Sequence, residues 1–199
     1  MQNRDWTRVN HQSRQVNLPN PNRCIKENPI VVDSRDRDRN LYPNTNRFVV
    51  KFDNNADGNI PCNFHNVESI ELVQAILPQS VLSPTTGAPY INMEIQELRD
   101  TFQGTNTHLR NLFAFLSPQD VYGDKFLSCK FYHSARRVFS PPIASLNKFT
   151  IELRHPDGSL FDFGADTSAG TNVNEDVQTI FYFIINTVEA KRPDISIAR

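Results

Sequence analysis

Three cysteines and five histidines are the residues of this 199-residue chain whose types most readily bind zinc. Cys129 and His133 lie four residues apart, and in the strand that the surrounding alternation predicts, their Cα atoms are about 13 Å apart, too far for one zinc ion. Cys62 and His65 form another close pair, but a tetrahedral site needs a second pair of ligands. The turn at Asp53–Gly58 lacks the twelve-residue calcium-loop pattern with its terminal Glu. The sequence predicts no metal site and no cofactor.

Motifs for catalysis are also missing from the chain. It contains neither a Gly-x-Ser-x-Gly elbow nor a glycine-rich phosphate loop. Catalytic triads are assembled in space rather than along the sequence, so the missing motifs argue only weakly against catalysis. We predict a protein that is not an enzyme and has no catalytic residues.

Charged residues alternate in sign in the segment DSRDRDR, positions 33–39. Acids and bases this close nearly neutralise one another, which favours ion pairs within and between chains over a binding patch of one sign. A second basic point, Arg136-Arg137, fits a partner contact and equally a solvated strand edge that discourages aggregation. The predicted partner-contact residues are Trp6, Leu18, Asp33, Arg35, Asp36, Arg37, Asp38, Arg39, Arg136 and Arg137.

The overall charge is close to neutral, at a formal −1, which argues against a general polyanion-binding protein. Residues 1–47 hold nine Lys and Arg against five Asp and Glu, leaving twelve against seventeen in the remainder. An odd number of widely spaced cysteines favours a reducing compartment over a disulfide framework. The first residues lack an apolar h-region and no run of about 18 apolar residues occurs, so we expect neither a standard signal peptide nor a transmembrane segment.

The elements that position these residues read as one domain between two tails. Residues 1–29 are polar and proline-rich, and they predict either a disordered tail or an extended arm that becomes ordered against a neighbouring subunit, with Trp6 and Leu18 as anchors. Residues 30–189 predict a β-sandwich, and residues 190–199 a polar C-terminal tail.

Thirteen prolines and fourteen phenylalanines combine many turns with enough large apolar side chains for a core, a composition typical of β-sandwiches. Apolar groups on both faces of Asn66–Pro78 and the continuous apolar run at Thr179–Val188 predict two central strands. Pro156-Asp157-Gly158 predicts the turn of a hairpin, and Ser134–Pro142 a short edge strand at best. We therefore expect an all-β fold, a single jelly-roll-like sandwich. Its eight or so strands are expected near residues 48, 68, 91, 112, 126, 149, 159 and 180.

The segments DSRDRDRNLYPNTNRFVVKF at 33–52 and SIELVQAILP at 69–78 form the pattern DSRDRxxxxYPxxxxFxVxF followed by SIELxxAxLP. A further segment, FTIELRHPDGSLFDFG at 149–164, fits FTIELRxPDGSLxDFG. Together they resemble a family of virion structural proteins from large DNA viruses of algae and protists. The resemblance implies a minor capsid or penton-type protein of a capsid assembled in the host cytoplasm. Its implied partners are other capsid proteins, including the major capsid protein and copies of itself.

Two further hypotheses remain open. The first 29 residues contain five bases, Arg4, Arg8, Arg14, Arg23 and Lys26, with Trp6 available for stacking, so they could contact a packaged nucleic acid. The other hypothesis is a module that binds the host surface. Exposed aromatic loops on a symmetric oligomer would favour it.

Overall fold

The computed structural model describes residues 23–53, 59–79, 90–98, 107–122, 125–130, 135–166 and 172–190. Within these ranges the regular structure consists of β-strands and short 3-10 turns, and no helix there is long and apolar enough to cross a membrane. The prediction of an all-β sandwich is confirmed. The strands are β1 (Arg23–Asp33), β2 (Arg47–Lys51), β3 (Phe64–Pro78), β4 (Ile91–Ile95), β5 (Leu112–Tyr122), β6 (Phe126–Lys130), β7 (Ala135–Leu146), β8 (Lys148–Arg154) and β9 (Ile180–Ala190).

The strands form two antiparallel sheets. In the first, β9 lies between β1 and β3, and the far edge of β3 pairs with β7 along most of its length and with β6 near its end. In the second, the order is β2, β8, β4, β5. The first half of β5 pairs with β4 and its second half pairs with β6, so β5 passes from one sheet to the other.

The pairings are nested. β1 pairs with β9, β2 with β8, β3 with β7 and β4 with β5. The chain therefore folds as one long two-stranded ribbon, closed between β4 and β5, whose successive pairs alternate between the two sheets. β6 is an addition to this ribbon, between β5 and β3.

The core lies between the sheets and is built largely from phenylalanine. The ring of Phe149 on β8 lies 5.3 Å from that of Phe183 on β9, so the two sheets meet directly at this pair. Phe52 packs edge-on against Phe149 at 4.8 Å and against Phe64 at 5.1 Å. All four rings are at most 2% exposed. Burial of each such side chain contributes about 1.5–3 kcal/mol.

β3 confirms the prediction of a central strand at 66–78, since it has paired neighbours on both edges. Its register shifts between Val67 and Ser69 and again between Leu72 and Gln74. Each irregularity moves the following side chains to the other face. The apolar residues at both odd and even positions therefore point to the same inward side of the sheet. Four of them are fully buried: Ile70, Leu72, Ala75 and Leu77.

Three predicted boundaries are wrong. The predicted arm spans 1–29, but β1 starts at Arg23. Residues 23–29 therefore pair with β9 and belong to the sheet rather than to an arm. The stretch 159–163 forms only a bridge between Leu160 and Arg154. β7 is a twelve-residue strand, not a short edge strand. Its prolines fall between Val138 and Ile143, where pairing with β3 lapses and then resumes, so they remove no ladder hydrogen bond.

The predicted turn at Pro156–Gly158 is confirmed, and Gly158 has φ +88. A Cβ added there would lie 2.4 Å from Nδ1 of His108. We expect Gly158→Ala to lower the free energy of unfolding by about 1–3 kcal/mol from backbone strain, with a further loss from the His108 contact. Gly164→Ala is the matched control, because its φ is +101 but its nearest neighbour is 3.6 Å away. Equal losses for the two variants in urea denaturation would contradict a role for His108.

Candidate functional site

The alternating charges at 33–39 begin with Asp33, the last residue of β1. Asp33 caps the 3-10 turn Ser34–Asp36 by accepting a hydrogen bond from the backbone N–H of Arg35 at 2.9 Å. The same carboxylate pairs with the Arg35 guanidinium and raises its pKa above the usual value. Arg35 also reaches Glu175 at 3.2 Å, and its side chain remains 44% exposed.

Arg37 behaves differently, because its side chain is fully buried. Each of its five N–H groups has an acceptor within the chain. Nε donates to the carbonyl of Tyr42 at 2.7 Å. Nη1 donates to the carbonyl of Ser34 (2.7 Å) and to Oε1 of Gln178 (3.2 Å), and Nη2 donates to the carbonyl of Pro43 (2.8 Å) and to Oδ2 of Asp166 (2.5 Å). The prediction of Arg37 as a partner contact is therefore corrected: burial inside its own subunit gives it an internal role.

The acceptors of Arg37 are themselves held in place. Oδ1 of Asp166 accepts from the backbone N–H of Asn174 at 2.9 Å. Gln178 donates to the carbonyl of Asn174 at 2.7 Å and accepts from the Ser34 hydroxyl at 2.8 Å. We call Ser34, Arg37, Asp166, Asn174 and Gln178 the Arg37 cluster. It connects the end of β1 to the start of β9.

Two of the three segments that carry the sequence pattern, 33–52 and 149–164, meet beside this cluster. The Tyr42-Pro43 turn supplies two of its carbonyl acceptors. Asn46 next to it donates to the carbonyl of Phe161 at 2.7 Å, and its own carbonyl accepts from the backbone N–H of Leu153 at 2.8 Å. The pattern thus describes how one end of the sandwich is closed.

The other predicted contact residues lie in several places. Asp36 and Asp38 are exposed, and Asp38 accepts from the backbone N–H groups of Asn40 and Leu41. Arg39 is half-buried. The structure does not bring these residues together with Arg136 and Arg137, which lie on β7. Trp6 and Leu18 lie outside the described residues.

The two arginines of β7 bond within the chain. Arg136 donates to the hydroxyl of Ser69 at 3.1 Å, and Ser69 also accepts from Asn186 at 2.9 Å. Arg137 donates to the carbonyl of Leu112 at 2.9 Å. Arg136 remains exposed and can still contact a partner, whereas Arg137 is half-buried.

A second charged cluster, not predicted from the sequence, lies on β4 and β8. Glu94 and Glu152 are direct cross-strand partners and both residues are buried. Arg154 pairs with Glu152 and lies 3.6 Å from Glu94. The other oxygen of Glu152 accepts from Gln96 at 2.7 Å and pairs with Arg47 at 3.2 Å.

Paired carboxylates can serve as acid and base or bind a cation, but here arginine and amide donors occupy both oxygens of Glu152. The second cluster is therefore a structural ion-pair network. A sequence signal existed, since Glu94, Glu152 and Arg154 are charged residues in strands with apolar neighbours. Only the register between β4 and β8 shows that these three side chains lie side by side.

Metal-ligating side chains do not gather in the described part of the chain: no three His, Cys, Asp or Glu residues there could hold one ion. His133 and most of the Asp53–Gly58 turn lie outside those ranges. Burial raises the pKa of the Cys129 thiol to about 12, so this cysteine stays protonated and is a poor nucleophile. Cys24 is exposed and Cys62 half-buried.

Two of the clefts on the described surface have defined linings. One, of about 60 Å³, lies between β1 and β2 and is lined by Val31, Val50 and Ile60 among others. The other, of about 170 Å³, lies beside Lys26, Cys62 and Thr187. Both are smaller than the roughly 300–1,000 Å³ of typical small-molecule sites.

Several exposed large apolar side chains lie on the outer side of the first sheet, whereas Leu41, Phe115 and Leu160 are exposed elsewhere. Ile25 and Val31 on β1 are 55% and 62% exposed, Val138 on β7 is 64% exposed and Val73 on β3 is 40% exposed. Tyr182, Ile184 and Val188 of β9 lie half-buried between β1 and β3. We call this surface the outer apolar face. The exposed apolar side chains on this face are a candidate contact surface.

A scan against protein-family models finds no family that matches this chain, and no curated protein is significantly similar to it in sequence.

Proposed function

We propose that this chain is a structural component of a large DNA virus capsid, a minor capsid or penton-type subunit that links neighbouring capsid proteins. We further propose that its sandwich is a jelly roll with one added strand, β6. The nested ribbon supports the jelly roll, and the sequence resemblance to virion structural proteins carries the capsid role. Eight strands paired first with last, second with second-last and so on, alternating between two sheets, form the two Greek keys of a jelly roll, which is common among viral capsid domains.

Jelly rolls also form lectin domains and cupins, so the fold alone does not select a function. Two features of this chain favour a shell subunit. The sequence pattern that resembles virion structural proteins contributes Ser34 and Arg37 to the Arg37 cluster, which connects the end of β1 to the start of β9. The outer apolar face supplies a contact surface of the kind that subunit interfaces bury.

A subunit of this kind works through contact area and shape and requires no reactive group. A stable protein contact buries about 1,200–2,000 Å² in total. One face of a five-stranded sheet together with the exposed charges of Arg35, Asp36 and Asp38 can contribute much of one side of such a contact. The proposed partners are the major capsid protein and other copies of this chain.

The test uses purified particles of the virus that encodes the chain. We expect the protein to be present at a fixed ratio to the major capsid protein, measured by quantitative mass spectrometry. The ratio should persist after the genome is removed by nuclease in high salt, because a shell contact does not depend on the genome. Loss together with the genome would favour the nucleic-acid hypothesis, and absence from the particles would overturn the proposal.

A further inference from the structure

Among the described strands, β1 is the outermost in its sheet. Among the described residues its backbone pairs with β9 alone, in a register that pairs Arg23 with Ala190 and Asp33 with Ile180. Directly after this ladder the N–H of Ser34 donates to the carbonyl of Thr179 at 2.9 Å. Hydrogen bonding in an antiparallel pair involves every second residue. The even-numbered residues of β1 therefore bond to β9, and the odd-numbered N–H and C=O groups point away from the sheet.

Pro29 agrees with this assignment. It has no N–H to donate, and it occupies an odd position, where β9 requires no donor. The side chains follow the same alternation. Even-numbered Ile30 and Val32 are buried in the core, whereas odd-numbered Ile25 and Val31 are exposed on the outer apolar face.

The sequence of β1, RCIKENPIVVD, is complementary to itself about Asn28. If a second copy of β1 lies antiparallel to the first with Asn28 opposite Asn28, the positions in each opposed pair sum to 56. Ile25 then lies opposite Val31 on the outer face, and Arg23 lies opposite Asp33. The register also pairs odd positions with odd positions, as the outward-pointing backbone groups require. Both contacts occur twice because the arrangement is two-fold symmetric.

We propose that two copies of this chain associate through β1, in this register, to form a continuous sheet across a two-fold axis at Asn28. Addition of a strand to an exposed edge is a common mode of recognition, in which the main chain supplies affinity and side chains supply specificity. Here the Ile25–Val31 pairs set the register, and Arg23 lies opposite the Asp33–Arg35 ion pair. Each Pro29 removes one ladder hydrogen bond, which disfavours pairing with strands that lack these matched side chains.

The proposal deepens the proposed function by naming one partner, a second copy, and assembly in a shell would use this dimer. Formation of the dimer itself does not depend on the viral assignment. The two ideas therefore fail separately. A monomeric chain that is retained in particles contradicts only the dimer, and a dimer absent from particles contradicts only the capsid role.

Disulfide trapping tests the register. In a full-length chain with Cys24→Ser and Cys62→Ser, we compare Asn28→Cys with Lys26→Cys under mild oxidation. In the proposed register the two copies of residue 28 face each other with Cα atoms about 4.5 Å apart, within the range of a disulfide. The two copies of residue 26 are offset by four positions, or about 13 Å. We expect a covalent dimer from Asn28→Cys and little from Lys26→Cys. Equal cross-linking of both, or of neither, would overturn the register.

Sedimentation analysis of the unlinked chain tests the surface. We expect a concentration-dependent dimer that Val31→Lys weakens about tenfold or more, since the substitution occurs twice in each dimer and places a charge opposite Ile25. Val138→Lys is the control, because Val138 is equally exposed on the outer apolar face but lies on β7. A chain that stays monomeric at all concentrations, or a dimer that both variants weaken equally, would overturn the proposal.

Discussion

Replacement of Leu72 by Asp is expected to abolish soluble expression of the full chain. Leu72 is fully buried on β3, in contact with the main core and between paired neighbours on both edges. An ionised carboxylate at this position lies among the apolar side chains of the core, and its burial costs more than the free energy that the buried leucine supplies. The measurement is the fraction of protein in the soluble extract at matched expression.

Val73→Asp is the control for this prediction. Val73 is the next residue of β3, but it is 40% exposed because the register shift beside it turns its side chain outwards. We expect this variant to remain soluble and to unfold within about 0.5 kcal/mol of the native chain. If both variants were insoluble, the cause would lie in the strand's β-propensity or edge pairing, and the inward assignment of Leu72 would be contradicted.

The second large effect is expected at Arg37. Arg37→Met retains an apolar stem but removes all five hydrogen bonds and leaves Asp166 buried without its arginine partner. Breaking a buried ion pair from one side typically costs about 3–5 kcal/mol. For a domain of this size the loss corresponds to a fall in Tm of roughly 6–20 °C. Urea denaturation followed by fluorescence or circular dichroism gives the free energy of unfolding.

Arg35→Met provides the comparison, since Arg35 belongs to the same charged segment but is 44% exposed. An exposed ion pair contributes about 0–1 kcal/mol, and we expect no more than this to be lost. The double variant Arg37→Met with Asp166→Leu should lose less stability than Arg37→Met alone, because it leaves no unpaired buried carboxylate. Similar losses from Arg35→Met and Arg37→Met would show that the Arg37 cluster does not hold the fold together.

The Arg37→Met and Arg35→Met variants separate the contribution of the 33–39 segment to stability from its contribution to assembly. The Arg37 side chain is buried, so we expect its substitution to lower the free energy of unfolding. Arg35, Asp36 and Asp38 remain exposed and can contribute to a neighbour's binding without cost to the fold. Assembly variants of this segment are therefore best placed at the three exposed positions.

The strands were the part of the fold that local patterns could predict. Runs such as Phe48–Phe52, Phe149–Arg154 and Thr179–Val188 are rich in aromatic and β-branched residues, and each of them belongs largely to a strand. Alternation and composition act over neighbouring residues, so they can be recognised without knowing the partner strand. The turn at Pro156–Gly158 was predictable for the same reason.

Pairing and burial depended on residues distant in the sequence. Asp166, which shows that Arg37 is an internal residue, lies 129 positions away from it. Arg35, Arg37 and Arg39 look alike in the sequence. Only the packing of the segment between β1 and β9 shows that Arg37 is buried whereas Arg35 is exposed. The same holds for β7, whose prolines fall where its pairing with β3 lapses. Local patterns determine which residues favour a strand, whereas register and burial arise from long-range contacts, and these contacts determine which charges face the interior and which face a partner.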